Sequence, residues 1–567
     1  MKFSINFHIL KKPYLIIFSL IWSLLFSVSL MKYQGSAFAF TLFSFSFLIL
    51  LFLGFYKNKS YAFMYLAVFL WLGFWVKLVA HLLLDYEYIE PIGVFSGSTG
   101  EWDQVLWVST IASLGVIIGR FLYAILNFKV ADDNQNNNVY PEWYPTIRIK
   151  VWALFIVIVI LAAVSNTVLG INQIGLSPRT ILPWPLNALI SWIVSIGGVM
   201  GLATLIWWDV SLKKGVYSAL FAISIEAFIS SISLFSRGVF IFHSIPQFIA
   251  LYKNKLLDNF SKKRLAIVGC LVLIFFVLSL AIVSVLRTNF YSQDGIITTT
   301  KAQISLSRLE VLKGGIFRVK ELIRQGGDHK DHLTELLIEQ EELQMKVSNS
   351  TSDQVQFDRV NEDTRETPDS INDKNVIINH QVQFDRVNAS VALEEFYYQL
   401  TQGVFLKVLS LSMDRWVGLE GIMAVVSYPN KGRALIIDAF VEKRALGEVT
   451  RYQEIANSKY QWVDSNVWQF ASLPGAVAFL YFSGSFWIVL FGMILFAFLV
   501  QFLEFLIYKG TRNPILCSLL GVSLANHVAQ FGIAPAQGSV YLVMIFVGVL
   551  AIAIVQNLKL ITNKLFS

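Results

Sequence analysis

Apolar runs of about 17–25 residues dominate this chain, and each is long enough to cross a lipid bilayer as a helix. They begin near Tyr14, Ala37, Tyr61, Val105, Val151, Trp184, Val216, Val239, Leu265, Phe479, Ile515 and Val540. The pattern predicts an all-α polytopic membrane protein with about 12 transmembrane helices. A soluble protein with a large core is excluded by a composition that is 55% hydrophobic over 567 residues, with mean hydropathy +0.60. The eighth run is short and carries Pro246, so a kinked or partial span is expected there. Tyr14–Leu30 is longer than a usual signal core, so the first run is expected to stay as an uncleaved span, although Ala37-Phe38-Ala39 has the form of a cleavage site.

One polar block interrupts this pattern. Residues 1–286 hold spans 1–9, residues 287–470 form a large loop, and residues 471–567 hold spans 10–12. Within the block, Leu306, Leu309, Leu312, Ile316, Val319 and Leu322 recur at helical spacing, which predicts an amphipathic surface helix. Residues 325–390 are charged and poor in aromatics, and Gln354–Asn361 recurs identically as Gln381–Asn388. Two copies are too few for a solenoid, so this stretch reads as a duplication in a tolerant, disordered loop. From Val391 order returns, with a helical face of Phe396, Leu400, Val404, Val408 and Leu411 and rising helix propensity from Ala434 to Leu446. Tyr460, Trp462, Trp468 and Phe470 read as an interfacial belt leading back to the bilayer.

Charge separates these regions. The block holds 21 Lys/Arg against 26 Asp/Glu, the remainder 24 against 12. Of the basic residues between spans, 19 fall on one set of connections, whereas the opposite short connections hold only Lys32, Arg179 and Arg237. By the positive-inside rule both termini are cytoplasmic and the block faces outward. Cys270 and Cys517 both lie in apolar runs, so no disulfide framework is expected.

Arg237, in Ser236-Arg237-Gly238 at the outer end of the seventh span, is the sharpest candidate. A guanidinium is costly in hydrocarbon and needs an anion or water, and its forked donors match phosphate oxygens. The plainer reading is a snorkelling arginine, or one paired with Glu226 about three turns inward, a distance too long for direct contact within one straight helix. Arg415 stands at a helix end between Asp414 and Trp416, where a solvated charge is the plain alternative. Arg179 lies in a loop stiffened by Pro178, Pro183 and Pro185; Arg287 reads as interfacial. Lys77 and His81 share one helical face and could bind a phosphate or form internal salt bridges. His527, in Asn526-His527-Val528-Ala529-Gln530, is either a base or a hydrogen-bonding link between helices. Glu420 and Asp438 are further candidate bases, and Asp85, Glu87, Glu90, Glu101 and Asp103 make the loop after the third span acidic. With no Asp-x-Asp, His-Glu-x-x-His or phosphate-binding glycine loop, arginines rather than a metal are the expected diphosphate ligands, and no cofactor is expected.

Outward arginines, the loop before the last spans and three short stretches carry a resemblance. The stretches are Phe235-Ser236-Arg237-Gly238, Asp414-Arg415-Trp416-Val417-Gly418-Leu419-Glu420-Gly421, and Leu473-Pro474-Gly475 leading through Leu480-Tyr481-Phe482-Ser483-Gly484-Ser485 to Gly492. In topology and in these motifs the chain resembles the O-antigen polymerases and related oligosaccharide repeat-unit polymerases. That resemblance implies a C-type glycosyltransferase fold in the bacterial cytoplasmic (inner) membrane. It implies a polyprenyl-diphosphate-linked glycan donor, a second lipid-linked unit as acceptor, membrane lipids and a chain-length regulator protein as partners, and no nucleic acid. Arg237, Arg415 and Arg179 would then hold the diphosphate, and His527 or a loop carboxylate such as Glu420 would take the acceptor proton. The 325–390 insertion departs from a compact polymerase loop.

An O-antigen ligase shares this topology and donor and differs in its acceptor. A lipid-linked oligosaccharide flippase is the non-enzymatic alternative, disfavoured by the large block and by the lack of symmetry between the two halves.

Overall fold

The computed structural model describes residues 13–84, 88, 90–126, 140–214, 216–257, 261–293, 416–443, 449–458, 472–532 and 534–556. The regular structure of these residues is helical, with no β-sheet among them. The elements are α1 (Pro13–Lys32), α2 (Ala37–Phe55), α3 (Tyr61–Leu70), α4 (Lys77–Leu84), α5 (Thr99–Ile125), α6 (Tyr144–Leu169), α7 (Trp184–Trp192), α8 (Gly198–Ser211) and α9 (Val216–Ser233). They continue with α10 (Arg237–Lys253), α11 (Lys262–Gln293), α12 (Leu419–Ser427), α13 (Arg433–Val441), α14 (Arg451–Ile455), α15 (Gly475–Tyr481), α16 (Phe486–Thr511), α17 (Pro514–Ala529) and α18 (Pro535–Gln556). A π-helical stretch, Trp71–Val76, joins α3 to α4, and another, Ile193–Gly197, joins α7 to α8.

Ten helices among the described residues are long and apolar enough to cross a membrane, counting each π-linked pair once. The chain is thus a multi-pass, all-α membrane protein. The other two of the expected twelve runs form shorter helices: α10 has 17 residues and α17 has 16, at or just below the shortest length that crosses a bilayer. Pro246 does not break α10, which continues to Lys253.

Short polar caps decide where the helices begin. Ser36, Ser60 and Ser98 accept from Ala39, Phe63 and Glu101 amides, and Asn513 accepts from Ile515 and Leu516 ahead of Pro514. The Ser98 cap starts α5 six residues before Val105. The run expected from Phe479 divides. α15 ends at Tyr481, the chain turns at Gly484 with φ +70°, and the long helix begins only at Phe486. Glycine is required there because the left-handed region costs any side chain steric strain.

Spans α5 and α16 approach closely through Gly115 and Gly119, where a Cβ would lie 2.7 Å from the Leu490 carbonyl oxygen and 2.6 Å from that of Ile494. This Gly-x-x-x-Gly spacing is a common way for membrane helices to pack without a hydrophobic driving force. At the end of the bundle where α3 and α10 carry Tyr61 and Lys253, Glu504 of α16 accepts from Ser60 Oγ (2.5 Å) and the Tyr61 and Ala62 amides (2.8 and 2.9 Å). Lys253 Nζ donates to the Asn58 carbonyl at 3.2 Å. Arg148 forks onto Asp209 at 2.6 and 2.5 Å, and Tyr144 donates to the same carboxylate.

The chain divides into two compact units, one formed by Met1–Arg287 with Asp414–Ser567 and the other by Thr288–Met413. In the second unit only the end of α11 is described. The surface helix expected at 304–323, the duplicated stretch and the face from Phe396 to Leu411 lie outside the described residues, as do Tyr460, Trp462, Trp468 and Phe470. From Asp414 onward the polar block belongs to the first unit, and residues of α12, α14 and α15 share one apolar core with the spans. The helix expected over 434–446 is α13 and stops at Val441.

Candidate functional site

α12 follows Gly418 and is apolar apart from Glu420 and its last residue, Ser427, and Leu419 to Val426 are all buried although the helix is too short to span. Three glycines seat it. A Cβ on Gly73 would lie 2.4 Å from the Val417 carbonyl oxygen, one on Gly418 2.5 Å from the Gly73 carbonyl oxygen, and one on Gly421 2.0 Å from the Pro474 carbonyl oxygen. The loop return therefore lies backbone against backbone on the π-helical part of the third span. That seat brings Glu420 to Lys77, and the two form an ion pair with side chains 4% and 0% exposed. Of the two sequence readings for Lys77, the structure has the internal salt bridge.

One turn further along α4, the His81 ring lies 4.8 Å from Tyr88 and 5.5 Å from Trp102, centroid to centroid. Tyr452 of α14 is fully enclosed nearby. Burial pushes its hydroxyl well above the ordinary tyrosine range, with Glu90 and then Glu420 adding to the effect, so it remains protonated. Asp103 accepts from Tyr33 Oη and the Ser36 amide, and Glu101 from Ser96, so these two carboxylates tie loops together. Asp438 lies beside Glu442, Arg451 and Glu454 in an open cleft between α13 and α14. Asp85 and Glu87 lie outside the described residues.

His527 sits near the end of α17, stacked at 6.2 Å on Tyr541 and edge-on to Phe531. The end of the same helix abuts the start of α15: a Cβ at Gly475 would be 3.0 Å from the Ala529 carbonyl oxygen. Pro474-Gly475 thus touches both α12 and α17, and places the Lys77–Glu420 pair and His527 on adjoining elements.

The arginine candidates form a second group at the turn between α9 and α10. Phe235 adopts φ +52°, closing α9 with Ser236 N–H bonded to the Ser231 carbonyl and Phe235 N–H to that of Ile232. Arg237 is the first residue of α10 and is half-buried. The turn is braced from two helices, α6 and α11. Asn166 Nδ2 donates to Ser233 O at 2.9 Å, Ser231 Oγ lies 2.6 Å from Ser279 Oγ, and Arg287 donates from Nε to Phe235 O (2.8 Å) and from Nη2 to Ile174 O (3.0 Å). Arg179 lies over the left-handed Gly170 that ends α6 and donates to Thr167 O at 3.2 Å, as cations at helix C-termini do. Arg287, read from sequence as interfacial, is a brace for the Arg237 turn. Removing it with Arg287→Ala is expected to cost about 2 kcal/mol, the scale of hydrogen bonds to a charged group, measured as a lower unfolding temperature in detergent.

Glu226 does not pair with Arg237 as the plainer sequence reading had it. Its Oε1 lies 3.1 Å from His243 Nδ1 and accepts from Ser230 Oγ at 2.7 Å, because α10 brings His243 to the same depth as Glu226. His243 was not singled out from sequence. An ionisable side chain inside an apolar run was the available signal. Buried Gln173, with neither amide atom hydrogen-bonded, was also missed. Arg415 lies outside the described residues, and α12 begins only at Leu419, after an irregular Trp416–Gly418. Among the described residues no three His, Cys, Asp or Glu side chains converge as metal ligands. Comparison with protein-family models, with curated proteins and with solved structures finds no match for this chain.

Proposed function

We propose that this protein is a metal-independent glycosyltransferase that polymerises polyprenyl-diphosphate-linked oligosaccharide repeat units at the outer face of the bacterial cytoplasmic membrane. The observation that carries this reading is the braced Arg237 turn. Arg237 opens α10, Arg179 caps the neighbouring end of α6, and Arg287 ties the turn between them. Arg237 lies where the helix dipole favours an anion. The Ser236 hydroxyl caps none of the first-turn amides. Positive charge held at a span end suits a diphosphate leaving group whose prenyl tail lies in the bilayer and whose sugar projects outward. The buried Lys77–Glu420 pair acts as the anchor of the returning loop, which leaves His527 and Asp438 as the base candidates.

The test is surface-glycan length in cells lacking the gene and in cells carrying Arg237→Ala or Arg237→Lys at equal protein level. Arg237→Ala is expected to reduce polymer roughly 10- to 100-fold, the equivalent of losing charged hydrogen bonds to phosphate. Lysine is expected to restore little because it lacks the fork. Loss of long chains with a single unit still attached supports polymerase, and complete loss of attached glycan indicates a ligase. A carrier of lipid-linked oligosaccharide is the second reading, favoured by the ionisable Glu226–His243 pair inside the bundle. Units trapped on the cytoplasmic side would support it.

A further inference from the structure

The α9–α10 hairpin carries Arg237 at its tip and the Glu226–His243 pair between its arms. Glu226 stands seven residues before the end of α9, and His243 six residues after Arg237, so both lie ~10 Å inward at 1.5 Å per residue. They are 5% and 6% exposed. Two charges about 10 Å apart in a partly buried setting change each other's equilibria by on the order of tenfold. A carboxylate and an imidazole in contact can hold different numbers of protons without leaving their sites, whereas Arg237 keeps its charge. The pair also belongs to a polar seam. Gln247, one turn further in, donates to the His243 carbonyl, and its own Oε1 is buried without a hydrogen bond. Ser518 then links the Pro246 carbonyl to Tyr65.

We propose that Glu226 and His243 form a proton-binding site coupled to the Arg237 turn, such that negative charge arriving at the turn draws a proton onto the pair. Resting on the reading of that turn as a diphosphate site, this makes binding of the lipid diphosphate a proton-linked event. Among the described residues, the charged and titratable groups on the elements packed against the hairpin include Arg179 at the end of α6 and the following. Arg148 and Asp209 neutralise one another at the far end of α6 and α8. Tyr65 is bonded to Ser518, Cys517 is buried in α17, His527 lies against Tyr541, and Arg287 is engaged by the turn carbonyls. The geometry also explains why a carboxylate and a histidine persist in apolar surroundings. Each of these two buried polar side chains finds a hydrogen-bond partner in the other.

The test separates this coupling from the identity of the ligand. Gly238→Asp adds a carboxylate in the first turn of α10, where a Cβ meets nothing closer than 3.9 Å and the helix dipole favours an acid. The full chain in lipid nanodiscs, without ligand, is titrated by NMR of 15N-histidine and 13C-carboxyl glutamate, with signals assigned from His243→Gln and Glu226→Gln. The proposal expects the midpoint of the pair to rise by about half to one pH unit in Gly238→Asp. An unchanged midpoint, or no titration of either side chain between pH 4 and pH 9, overturns it. Farnesyl diphosphate is then added to the unaltered protein. A rise in the same midpoint supports both statements. A rise in Gly238→Asp without farnesyl diphosphate binding leaves the coupled site standing and sinks the diphosphate reading. Binding without movement of the midpoint overturns the coupling.

Discussion

Replacing Lys77 with methionine is expected to destabilise the protein by about 3–5 kcal/mol, the cost of leaving one partner of a buried ion pair uncompensated. The neighbourhood makes this the largest single-side-chain effect expected in the chain. Lys77 is wholly enclosed, and Glu420 opposite is nearly so, on a nine-residue helix that packs against the third span. Glu420→Gln should cost less than Lys77→Met, because an amide can still accept a hydrogen bond from the ammonium. The double variant Lys77→Met with Glu420→Met should regain most of the loss, since apolar pairs of similar volume replace buried ion pairs with little penalty. Thermal unfolding in detergent of the parent, both single methionine variants and the double variant completes a double-mutant cycle. A coupling near zero would show that the two charges do not support each other.

Gly421→Ala should separate the returning loop from the bundle. The added Cβ would stand 2.0 Å from the Pro474 carbonyl oxygen, and a backbone atom cannot swing aside as a flexible side chain can. A cost of about 3 kcal/mol is expected, at the upper end for overpacking, because α12 must lift from α15. Gly73→Ala should act in the same way from the other side, against the Val417 carbonyl oxygen at 2.4 Å. Gly100→Ala is the control: nothing lies within 4 Å of its Cβ, and inside the first turns of α5 alanine is the better helix former. Limited proteolysis together with unfolding temperature distinguishes a lifted loop from general loss of fold. If Gly421→Ala keeps the parent's protection, the three-glycine seat is not what holds α12.

The two effects share a cause that bears on how the chain can be read. Trp416-Val417-Gly418-Leu419-Glu420-Gly421 stands out in the sequence, but the order of its letters does not tell a ligand-binding motif from a docking seam. In the folded chain Gly418 meets Gly73, Glu420 meets Lys77 and Gly421 meets Pro474, so these three residues each have a partner from a distant segment. The division at Phe482–Ser485 was hidden for a related reason. Gly475-Ala476-Val477-Ala478-Phe479-Leu480-Tyr481 is as apolar as a span, and only the turn at Gly484 shows that it packs as a separate short helix. The close contact of α5 with α16, by contrast, is written in Gly115-x-x-x-Gly119.

Among the arginines, sequence position alone marked Arg237 as a charge at a span end and Arg179 as a charge in a proline-stiffened loop, because a guanidinium beside apolar runs is anomalous whatever its neighbours. It did not show that Arg287 braces the Arg237 turn, or that Glu226 takes His243 in place of Arg237. Those pairings depend on the depth and rotation at which α6, α9, α10 and α11 pack, and helix–helix register in a bilayer is set by small residues and polar contacts rather than by the apolar pattern.

Hydropathy by itself therefore determined that this is an all-α, multi-pass membrane protein, because unsatisfied backbone groups are too costly in hydrocarbon for such runs to do anything but form helices. It also located the polar block. Only the tertiary structure decided that the block's end from Asp414 is built into the membrane-span unit, and that Lys77 and Glu420 are one buried pair. It alone decided that Glu226 of α9 meets His243 of α10. Each of these depends on contacts between segments far apart in the chain, where a few tenths of an ångström at a glycine, or one helical turn of register, selects the partner.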